Sequence, residues 1–281
     1  MKKVLLTGAN GYLGSHVVEF LLNNGYDVHC VDLCNSNIPS RARFINKNIF
    51  EFNENIYKDL GEPDLLIHLA WRKGFAHNAL EHMSDLSAHF DFLHNMLKGG
   101  LKNLSVMGSM HEVGYHIGKI DEFTPCKPMS QYGIAKNALQ TALSELIGRE
   151  FKDVSFKWLR GYYICGDDEN SSSIFSKILA AERNGQKLFP FTSGKSKYDF
   201  LPVSEISKQI ALASLQTEIN GIINCCSGTA VPLAEKVESF IRERNLNIRL
   251  DYGKFPDRPY DSPEVYGDNG KIKKILQNNK G

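Results

Sequence analysis

The segment Gly8-Ala9-Asn10-Gly11-Tyr12-Leu13-Gly14 decides the fold, because it separates a short apolar run from a helical pattern. The run Lys3–Thr7 predicts a strand, and the pattern after the glycines predicts a helix to about Asn24. Glycines at such a junction allow a tight turn and close approach of the backbone, while the helix N-terminus offers amide hydrogens to a pyrophosphate. The glycines can also serve the turn alone, but the strand and helix beside them favour dinucleotide binding.

The next predicted strand, Asp27–Asp32, ends in an acid that lies 18 residues after Gly14. An acid at about this distance binds the adenosine ribose hydroxyls, and its charge repels a 2′-phosphate. Asp32 therefore favours NAD(H). Arg41 and Arg43 lie nearby in the sequence and can serve a phosphate instead, so NADP(H) stays open.

Three further apolar runs predict strands over Phe44–Asn48, Asp64–Ala70 and Asn103–Met107, with a helix over Asn78–Lys98 before the last of them. The run Asp64–Ala70 is almost continuously apolar, which is typical of a strand buried on both faces. Alternating strands and helices predict an α/β fold with a Rossmann-type, doubly wound parallel sheet. Ligands bind at the carboxyl ends of the strands in such sheets.

The ends of these strands present candidate binding residues. Asn48 and Ile49 end the third strand and are placed to meet the edge of an adenine. Ser109 follows the fifth strand and emerges on the same side of the sheet. His68 lies inside the fourth strand, where a hydrogen-bonded core histidine is a better interpretation than a ligand.

Tyr132 and Lys136 are four residues apart, so they lie one above the other on one face of a helix. A phenol with a pKa of about 10 is a poor acid or base at neutral pH. An ammonium group beside it favours the phenolate and brings the pKa toward the working range. Any amphipathic helix can carry this pair, and the catalytic interpretation gains weight only from the other motifs.

The composition excludes several classes of protein. The 281 residues are 42% hydrophobic and 23% charged with a net charge of +1, which gives no indication of nucleic-acid or acidic-membrane binding. The apolar runs are too short to span a membrane. Thr7 and Gly8 end the first run too early for a secretory signal, so we expect a cytoplasmic protein. The six cysteines have no C-x-x-C or His/Cys metal spacing, so we expect reduced thiols and no metal site.

Together these motifs resemble the extended short-chain dehydrogenase/reductase family, and within it the NAD-dependent epimerase/dehydratase branch that modifies nucleotide sugars. The first half carries Gly8-x-x-Gly11-x-x-Gly14, Asp32, His68-Leu69-Ala70, Ser109 followed by Val113-Gly114, and Tyr132-x-x-x-Lys136. The second half carries Leu159-Arg160 with Gly166 beyond, Asp199-Phe200, and Arg258-Pro259 before Asp268 and Lys271.

The resemblance implies a role for each matching residue. Tyr132 would exchange a proton with the sugar hydroxyl or ketone, Lys136 would lower the pKa of that tyrosine and bind the nicotinamide ribose, and Ser109 would stabilise the reacting oxygen. The implied cofactor contacts are Gly8, Gly11, Tyr12, Leu13, Gly14, Asp32, Asn48, Ile49, Leu69, Ala70 and Lys136. The implied substrate contacts are Ser109, Met110, His111, Tyr163, Tyr198 and Arg258.

The chain departs from the family pattern near the substrate. Met110 and His111 replace the Asp-Glu pair that the 4,6-dehydratases use, and Glu112 is one place too late to match. These differences argue against dehydration. Tyr163 and Tyr198 replace an asparagine and an arginine that commonly contact the diphosphate, which indicates an altered pocket in which Arg258 is the remaining diphosphate candidate.

We expect a dinucleotide-binding domain over residues 1–160 and a smaller substrate lobe over 161–281, from which the chain can cross back to the core. Helices are predicted over Ser171–Asn184, Ser204–Gln216 and Pro232–Arg244 in this lobe. The resemblance also implies a homodimer in which the helices Asn78–Lys98 and Gln131–Glu150 form a four-helix bundle. The second of these helices carries Leu139, Ala142, Leu143, Leu146 and Ile147, which can equally pack on its own sheet.

Three functions fit these observations. The favoured one is a nucleotide-sugar reductase that uses a nicotinamide hydride at C4 of a keto-deoxy sugar, because the lobe is compact and the diphosphate pattern is altered. The alternatives are an NAD-dependent nucleotide-sugar 4-epimerase and a non-catalytic dinucleotide-binding protein. The complete set of Ser109, Tyr132 and Lys136 argues against the last.

Overall fold

The structure is a computed structural model that describes residues 2–166, 173–257 and 262–279. The strands are β1 Lys3–Thr7, β2 Asp27–Asp32, β3 Arg43–Asn46, β4 Leu65–His68, β5 Asn103–Ser109, β6 Gly118–Ile120, β7 Ser155–Gly161, β8 Tyr163–Cys165, β9 Leu188–Pro190, β10 Lys197–Tyr198, β11 Phe200–Pro202, β12 Gly221–Cys225, β13 Val231–Pro232, β14 Arg249–Asp251 and β15 Glu264–Gly267. The α-helices are α1 Tyr12–Asn23, α2 Ile56–Asp59, α3 Glu81–Ser84, α4 Leu86–Gly99, α5 Gln131–Glu150, α6 Ile174–Arg183, α7 Val203–Leu215, α8 Leu233–Glu243 and α9 Gly270–Asn278.

Seven parallel strands form the main sheet, in the order β12-β7-β5-β4-β1-β2-β3. The strand order reverses between β1 and β4, which is the switch point where a doubly wound sheet opens a crevice for a ligand. The predicted Rossmann-type fold is confirmed. All strands of this sheet run in one direction, so the Gly8 turn and the end of β5 lie at one edge.

Several predicted elements have the observed bounds, among them Lys3–Thr7, Asp27–Asp32 and Gln131–Glu150. The prediction of one helix over Asn78–Lys98 is wrong, since α3 and α4 replace it. The segment before α3 bonds to α5 instead of forming a helical turn: His77 O accepts from Tyr132 N at 2.9 Å, and Asn78 Oδ1 accepts from Gln131 N at 3.4 Å.

Two apolar clusters cover the two faces of the sheet. One contains residues of α1, α7 and α9, and the other contains residues of α4 and α5. Leu139, Leu143, Leu146 and Ile147 of α5 are all buried in the second cluster, whereas Ala142 is exposed. The apolar positions of α5 therefore pack on the chain's own sheet. No helix in the described ranges combines the length and apolar composition that a membrane span requires.

The second half of the chain returns to the main sheet. Strand β12 pairs with β7 as the edge strand, and the remaining strands of this half form a four-stranded sheet with β6 and two smaller pairs. Asp199 ties these parts together, because its fully buried carboxylate accepts from the backbone N–H groups of Ser227 at 2.8 Å, Gly228 at 2.9 Å and Gly267 at 3.2 Å.

We expect Asp199→Ala to lower the free energy of unfolding by about 4 kcal/mol, since three backbone donors lose a charged acceptor. The matched control is Asp153→Ala, which removes an exposed carboxylate paired with Lys102 at 3.0 Å and should change stability by less than about 0.5 kcal/mol. Urea unfolding measures both. Equal stability of the two variants would contradict the role given to Asp199.

Candidate active site

The glycine turn forms one wall of a cavity of about 580 Å³ at the carboxyl ends of β1, β2 and β4. Gly8 has a φ of +72°, and a Cβ there would lie 2.5 Å from Ala70 N. A Cβ on Gly14 would lie 2.9 Å from the Cα of Ala9. Only glycine fits at these two positions, and the resulting cradle of backbone at a helix N-terminus fits the pyrophosphate of a dinucleotide.

The structure brings most of the predicted cofactor contacts together. The lining includes Gly8, Gly11, Asp32, Asn48, Ile49, Leu69 and Ala70. Tyr12, Leu13, Gly14 and Lys136 do not line it. The Tyr12 hydroxyl donates to the carbonyl of Gly166, Leu13 packs against the core, and Gly14 lies against the turn itself.

The carboxylate of Asp32 is fixed at the end of β2, where it accepts from Asn10 N at 3.0 Å and Leu33 N at 2.8 Å. Arg41 pairs with Glu19 at 2.7 Å on α1, and Arg43 is in register with His29, three residues before Asp32. The arrangement therefore suits ribose hydroxyls better than a 2′-phosphate.

The catalytic candidates meet where the first turn of α5 touches the end of β5. Ser130 caps α5 by accepting from Gly133 N at 3.2 Å. A Cβ on Gly133 would lie 3.0 Å from the carbonyl carbon of His111, so glycine permits the close approach. The approach brings Tyr132 close enough to Ser109 for the serine side chain to lower the pKa of the phenol.

Lys136 lies one turn further along α5 and is 2% exposed. Its Nζ donates to Met107 O at 2.7 Å and lies 3.7 Å from the centre of the Trp71 ring. Burial lowers the pKa of Lys136 to about 7, although the Glu112 carboxylate acts to raise it.

The expected lowering of the pKa of Tyr132 is not found. Burial of its hydroxyl raises the pKa of Tyr132 to about 12, the hydrogen bond with Ser109 lowers it, and the Glu112 charge raises it further. Lys136 is not among the groups that shift the pKa of Tyr132. Tyr132 is therefore protonated at neutral pH.

Sequence reasoning missed the aromatic surroundings of Tyr132. The ring of His77 stacks on it at 5.4 Å, and those of His82 and His111 lie 5.3 and 6.0 Å away. Trp71 lies 6.1 Å away and also lines the dinucleotide cavity. The position of Trp71, directly after Leu69-Ala70 at the end of a parallel strand, was a usable signal, but no spacing in the sequence marks the histidines.

Trp71 rests on a pair of buried histidines. The ring of His89 stacks on the indole of Trp71 at 4.4 Å between ring centres. His89 also shares a 3.0 Å hydrogen bond with His68, and His68 forms a second one with Thr7 Oγ1 at 2.8 Å. Burial lowers the pKa of His89 to about 3, so it is neutral. His68 is thus a hydrogen-bonded core residue, as expected.

Sequence reasoning also missed the structural role of Glu112. It is fully buried, and its Oε1 accepts from Ser109 N at 2.6 Å while Ser109 Oγ accepts from His111 N at 3.3 Å. This reciprocal arrangement is a capping box. Its sequence pattern, Ser-x-x-Glu from position 109, was visible before the structure.

The predicted substrate contacts fall into two groups. Met110 and His111 lie beside the Ser109 end of β5, and burial lowers the pKa of His111 to about 4. The rings of Tyr163 and Tyr198 lie 4.4 Å apart and pack into the same apolar cluster as Met110. Tyr198 is largely buried. Arg258 lies outside the described residues. Within those residues, no group of three His, Cys, Asp or Glu side chains is arranged to hold a metal ion.

We expect the chain to bind NADH much more tightly than NADPH, and Asp32→Ser to reduce that ratio at least about tenfold, because the charge that repels a 2′-phosphate is removed. The control is Asp27→Ser at the other end of β2, where the carboxylate faces His29. Fluorescence titration with both cofactors measures the ratios. An unchanged ratio in Asp32→Ser would contradict the placement of the adenosine ribose.

Comparisons with known proteins find chains that are similar to this one in sequence or in fold. The dTDP-6-deoxy-L-talose 4-dehydrogenase (NAD(+)) of Aggregatibacter actinomycetemcomitans is 43% identical over 269 residues, which cover 94% of this chain and 98% of that protein. The UDP-glucose 4-epimerase of Thermotoga maritima, solved with UDP-glucose, is 23% identical with a TM-score of 0.83 and covers 97% of this chain and 91% of its own. The UDP-glucose 4-epimerase of Thermus thermophilus, solved with NAD, is 20% identical with a TM-score of 0.81 and covers 97% and 92%.

With sequence identities of 23% and 20%, the two solved structures support the fold and nothing further. The family is established by other means. The model of the NAD-dependent epimerase/dehydratase family matches residues 4–226, and the 43% identical relative spans nearly the whole chain. This chain belongs to the NAD-dependent epimerase/dehydratase family.

Proposed function

We propose that this protein is an NAD(H)-dependent oxidoreductase that acts at C4 of a nucleotide-linked 6-deoxyhexose and reduces a 4-ketone to the hydroxyl. The observation that carries the proposal is the meeting of a protonated Tyr132 with Ser109 at the carboxyl end of β5, one helical turn from Lys136. The adjoining cavity, with its glycine cradle and Asp32, accounts for the cofactor.

The relative at 43% identity supports the choice of substrate. Its name specifies the 4-position of a dTDP-linked 6-deoxy sugar and NAD(+). Oxidation of a 4-hydroxyl and reduction of a 4-ketone share one transition state, so one set of residues serves both directions. At neutral pH the phenol holds its proton, which is the form that can donate to a ketone oxygen.

The chain's own residues supply the proton transfer and the charge stabilisation. When bound, the reduced nicotinamide supplies the hydride to C4. Tyr132 donates its proton to the ketone oxygen, and the Ser109 hydroxyl donates a hydrogen bond to the same oxygen while negative charge develops there. Lys136 would leave Met107 to contact the nicotinamide ribose. The surrounding imidazole and indole rings limit the access of water to the phenol.

A 4-epimerase is the alternative, since it needs the same three residues. An epimerase must take a proton from the sugar hydroxyl before it returns one, which a phenol with a pKa of about 12 does poorly. The two functions also differ in cofactor use. A reductase consumes one reduced nicotinamide per sugar, and an epimerase regenerates its cofactor within each turnover.

We expect stoichiometric oxidation of NADH when the protein meets a dTDP-linked 4-keto-6-deoxy sugar, and a loss of about 10²- to 10⁴-fold in kcat for Tyr132→Phe. Tyr252→Phe is the control, because it removes an exposed hydroxyl that bonds only to Glu238 among the described contacts. Nicotinamide absorbance follows both reactions. Inversion of nucleotide hexoses without loss of NADH would show that the protein is an epimerase. Normal turnover by Tyr132→Phe would show that Tyr132 is not the proton donor.

We also propose that two copies pair through α4 and α5 in a four-helix bundle. The proposal rests on the family resemblance, because Leu139, Leu143, Leu146 and Ile147 of α5 pack within the chain. The outer face presents small or polar residues such as Thr141, Ala142 and Glu145, together with the exposed Ile134. Small residues allow close approach of helices across a two-fold axis.

Light scattering should give twice the mass of the chain at micromolar concentration, and Ala142→Arg should give a monomer because the arginine occupies the closest approach. Ala180→Arg, on the exposed face of α6, should stay dimeric. A monomeric wild-type protein, or a dimeric Ala142→Arg variant, would contradict this interface.

A further inference from the structure

We propose that Glu112 is a positioning residue of the 4-keto reduction: its buried carboxylate holds the backbone of Ser109, and through Ser109 the Tyr132 hydroxyl, at the place where the ketone oxygen is protonated. The inference rests on the proposed function. It starts from a charged group that the proton transfer itself does not use.

The buried carboxylate of Glu112 is surrounded by hydrogen-bond donors next to Ser109. Besides the bond from Ser109 N, both carboxylate oxygens lie 2.9 Å from Trp158 Nε1, and Oε2 lies 3.4 Å from Arg160 Nε. Glu112, Trp158 and Arg160 are each no more than 1% exposed. A carboxylate surrounded by these donors cannot move without leaving buried groups unpaired, so its position is fixed.

The neighbouring backbone is shaped to accept this arrangement. A Cβ on Gly108 would lie 2.7 Å from Glu112 Oε1 and would also overlap the indole of Trp158. Gly108 and Ser109 are the last residues of β5, in register with Arg160 and Gly161 of β7. The sheet therefore places Arg160 and Trp158 directly below the residue that contacts Tyr132.

The charge state of Glu112 follows from its partners. Burial raises the pKa of its carboxyl, and Arg160 and the hydrogen bonds lower it. Every group that bonds to its oxygens is a donor, and a protonated carboxyl would need an acceptor. We therefore take Glu112 as ionised at neutral pH, paired with Arg160.

The effect on the reaction follows from geometry and charge. Ser109 links Glu112 to the reacting hydroxyl, so a shift of this strand end displaces both donors to the ketone oxygen. A misplacement of about 1 Å can cost about 10²-fold in rate. The Glu112 charge also favours the protonated form of Tyr132, which donates to the ketone oxygen, and the ammonium form of Lys136, which would contact the nicotinamide ribose.

The test compares Glu112→Gln with wild-type protein in the NADH-dependent reduction. We expect kcat to fall about 10²-fold, with the KM for the sugar and the Kd for NADH changing less than about threefold, because Glu112 touches neither ligand. A variant within threefold of the wild-type kcat would overturn the proposal. So would a loss confined to KM.

Two further variants separate positioning from stability. Glu112→Gln/Arg160→Met removes both buried charges, so it should fold even where the single variant does not, and its kcat should stay low. Lys157→Met removes another buried charge from β7, at the end of the strand away from the site, and should leave kcat unchanged. Full kcat in the double variant, or an equal loss in Lys157→Met, would show that Glu112 has no specific role.

A titration separates failure of this inference from failure of the proposed function. The titratable groups that face Tyr132 are His77, His82, His111, Lys136 and Glu112, with Arg160 and Cys126 behind Glu112. Glu112 is the acid among them. Because the pKa of Lys136 is about 7, the lysine is already neutral in the alkaline range where a phenol ionises.

Because burial raises the pKa of Tyr132 to about 12, tyrosinate absorbance is followed to about pH 12, as the difference between each protein and its Tyr132→Phe counterpart. Removing the carboxylate should move the ionisation of Tyr132 to lower pH in Glu112→Gln. Identical ionisation in both proteins would overturn the inference whether or not any sugar is reduced. A shifted ionisation in a protein that reduces no keto sugar would instead contradict the proposed function alone.

Discussion

The contact between the first turn of α5 and the end of β5 is the constraint on which the site depends. Gly133 lets the helix come close to the carbonyl of His111, and the loop residue His77 binds the backbone of Tyr132 from the other side. Because α5 buries its apolar positions against the sheet, this first turn cannot slide without disturbing the core. Tyr132 therefore meets Ser109 through packing of the whole domain and not through a local loop.

Burial near this contact shifts the pKa values of the two catalytic groups in opposite directions. The same low-polarity surroundings hold the pKa of Tyr132 high and that of Lys136 low. Glu112 opposes the second effect and reinforces the first, while Arg160 balances its charge. A cation–π contact with Trp71 offers the ammonium group of Lys136 further stabilisation beside the cofactor cavity. The pKa values of Tyr132 and Lys136 thus depend on their burial and on the Glu112–Arg160 pair next to the end of β5.

Much of the fold was predictable because its signals are local. The strand, glycine turn and helix at the N-terminus, and the acid that ends β2, gave the sheet type and the cofactor edge. The helix over 78–98 was predicted wrongly because residues 77 and 78 form hydrogen bonds with α5. A local sequence pattern cannot indicate such a long-range contact. The roles of His77 and Arg160 could not be predicted either, since these residues are distant in sequence from Tyr132 and Glu112, which they contact. Glu112 was the exception, since its capping pattern with Ser109 was visible, but Glu112 was considered only as a poor match to the Asp-Glu pair of the dehydratases.

The central claim is that Tyr132 and Ser109 direct a hydride to C4 of a keto sugar. The most direct measurement uses NADH that carries deuterium at the transferable position of the nicotinamide ring, with the sugar product analysed by nuclear magnetic resonance. The account predicts one deuterium on C4 of the product for each cofactor oxidised. A product that carries no deuterium at C4, or an inverted sugar formed while the label stays on the nicotinamide, would contradict it.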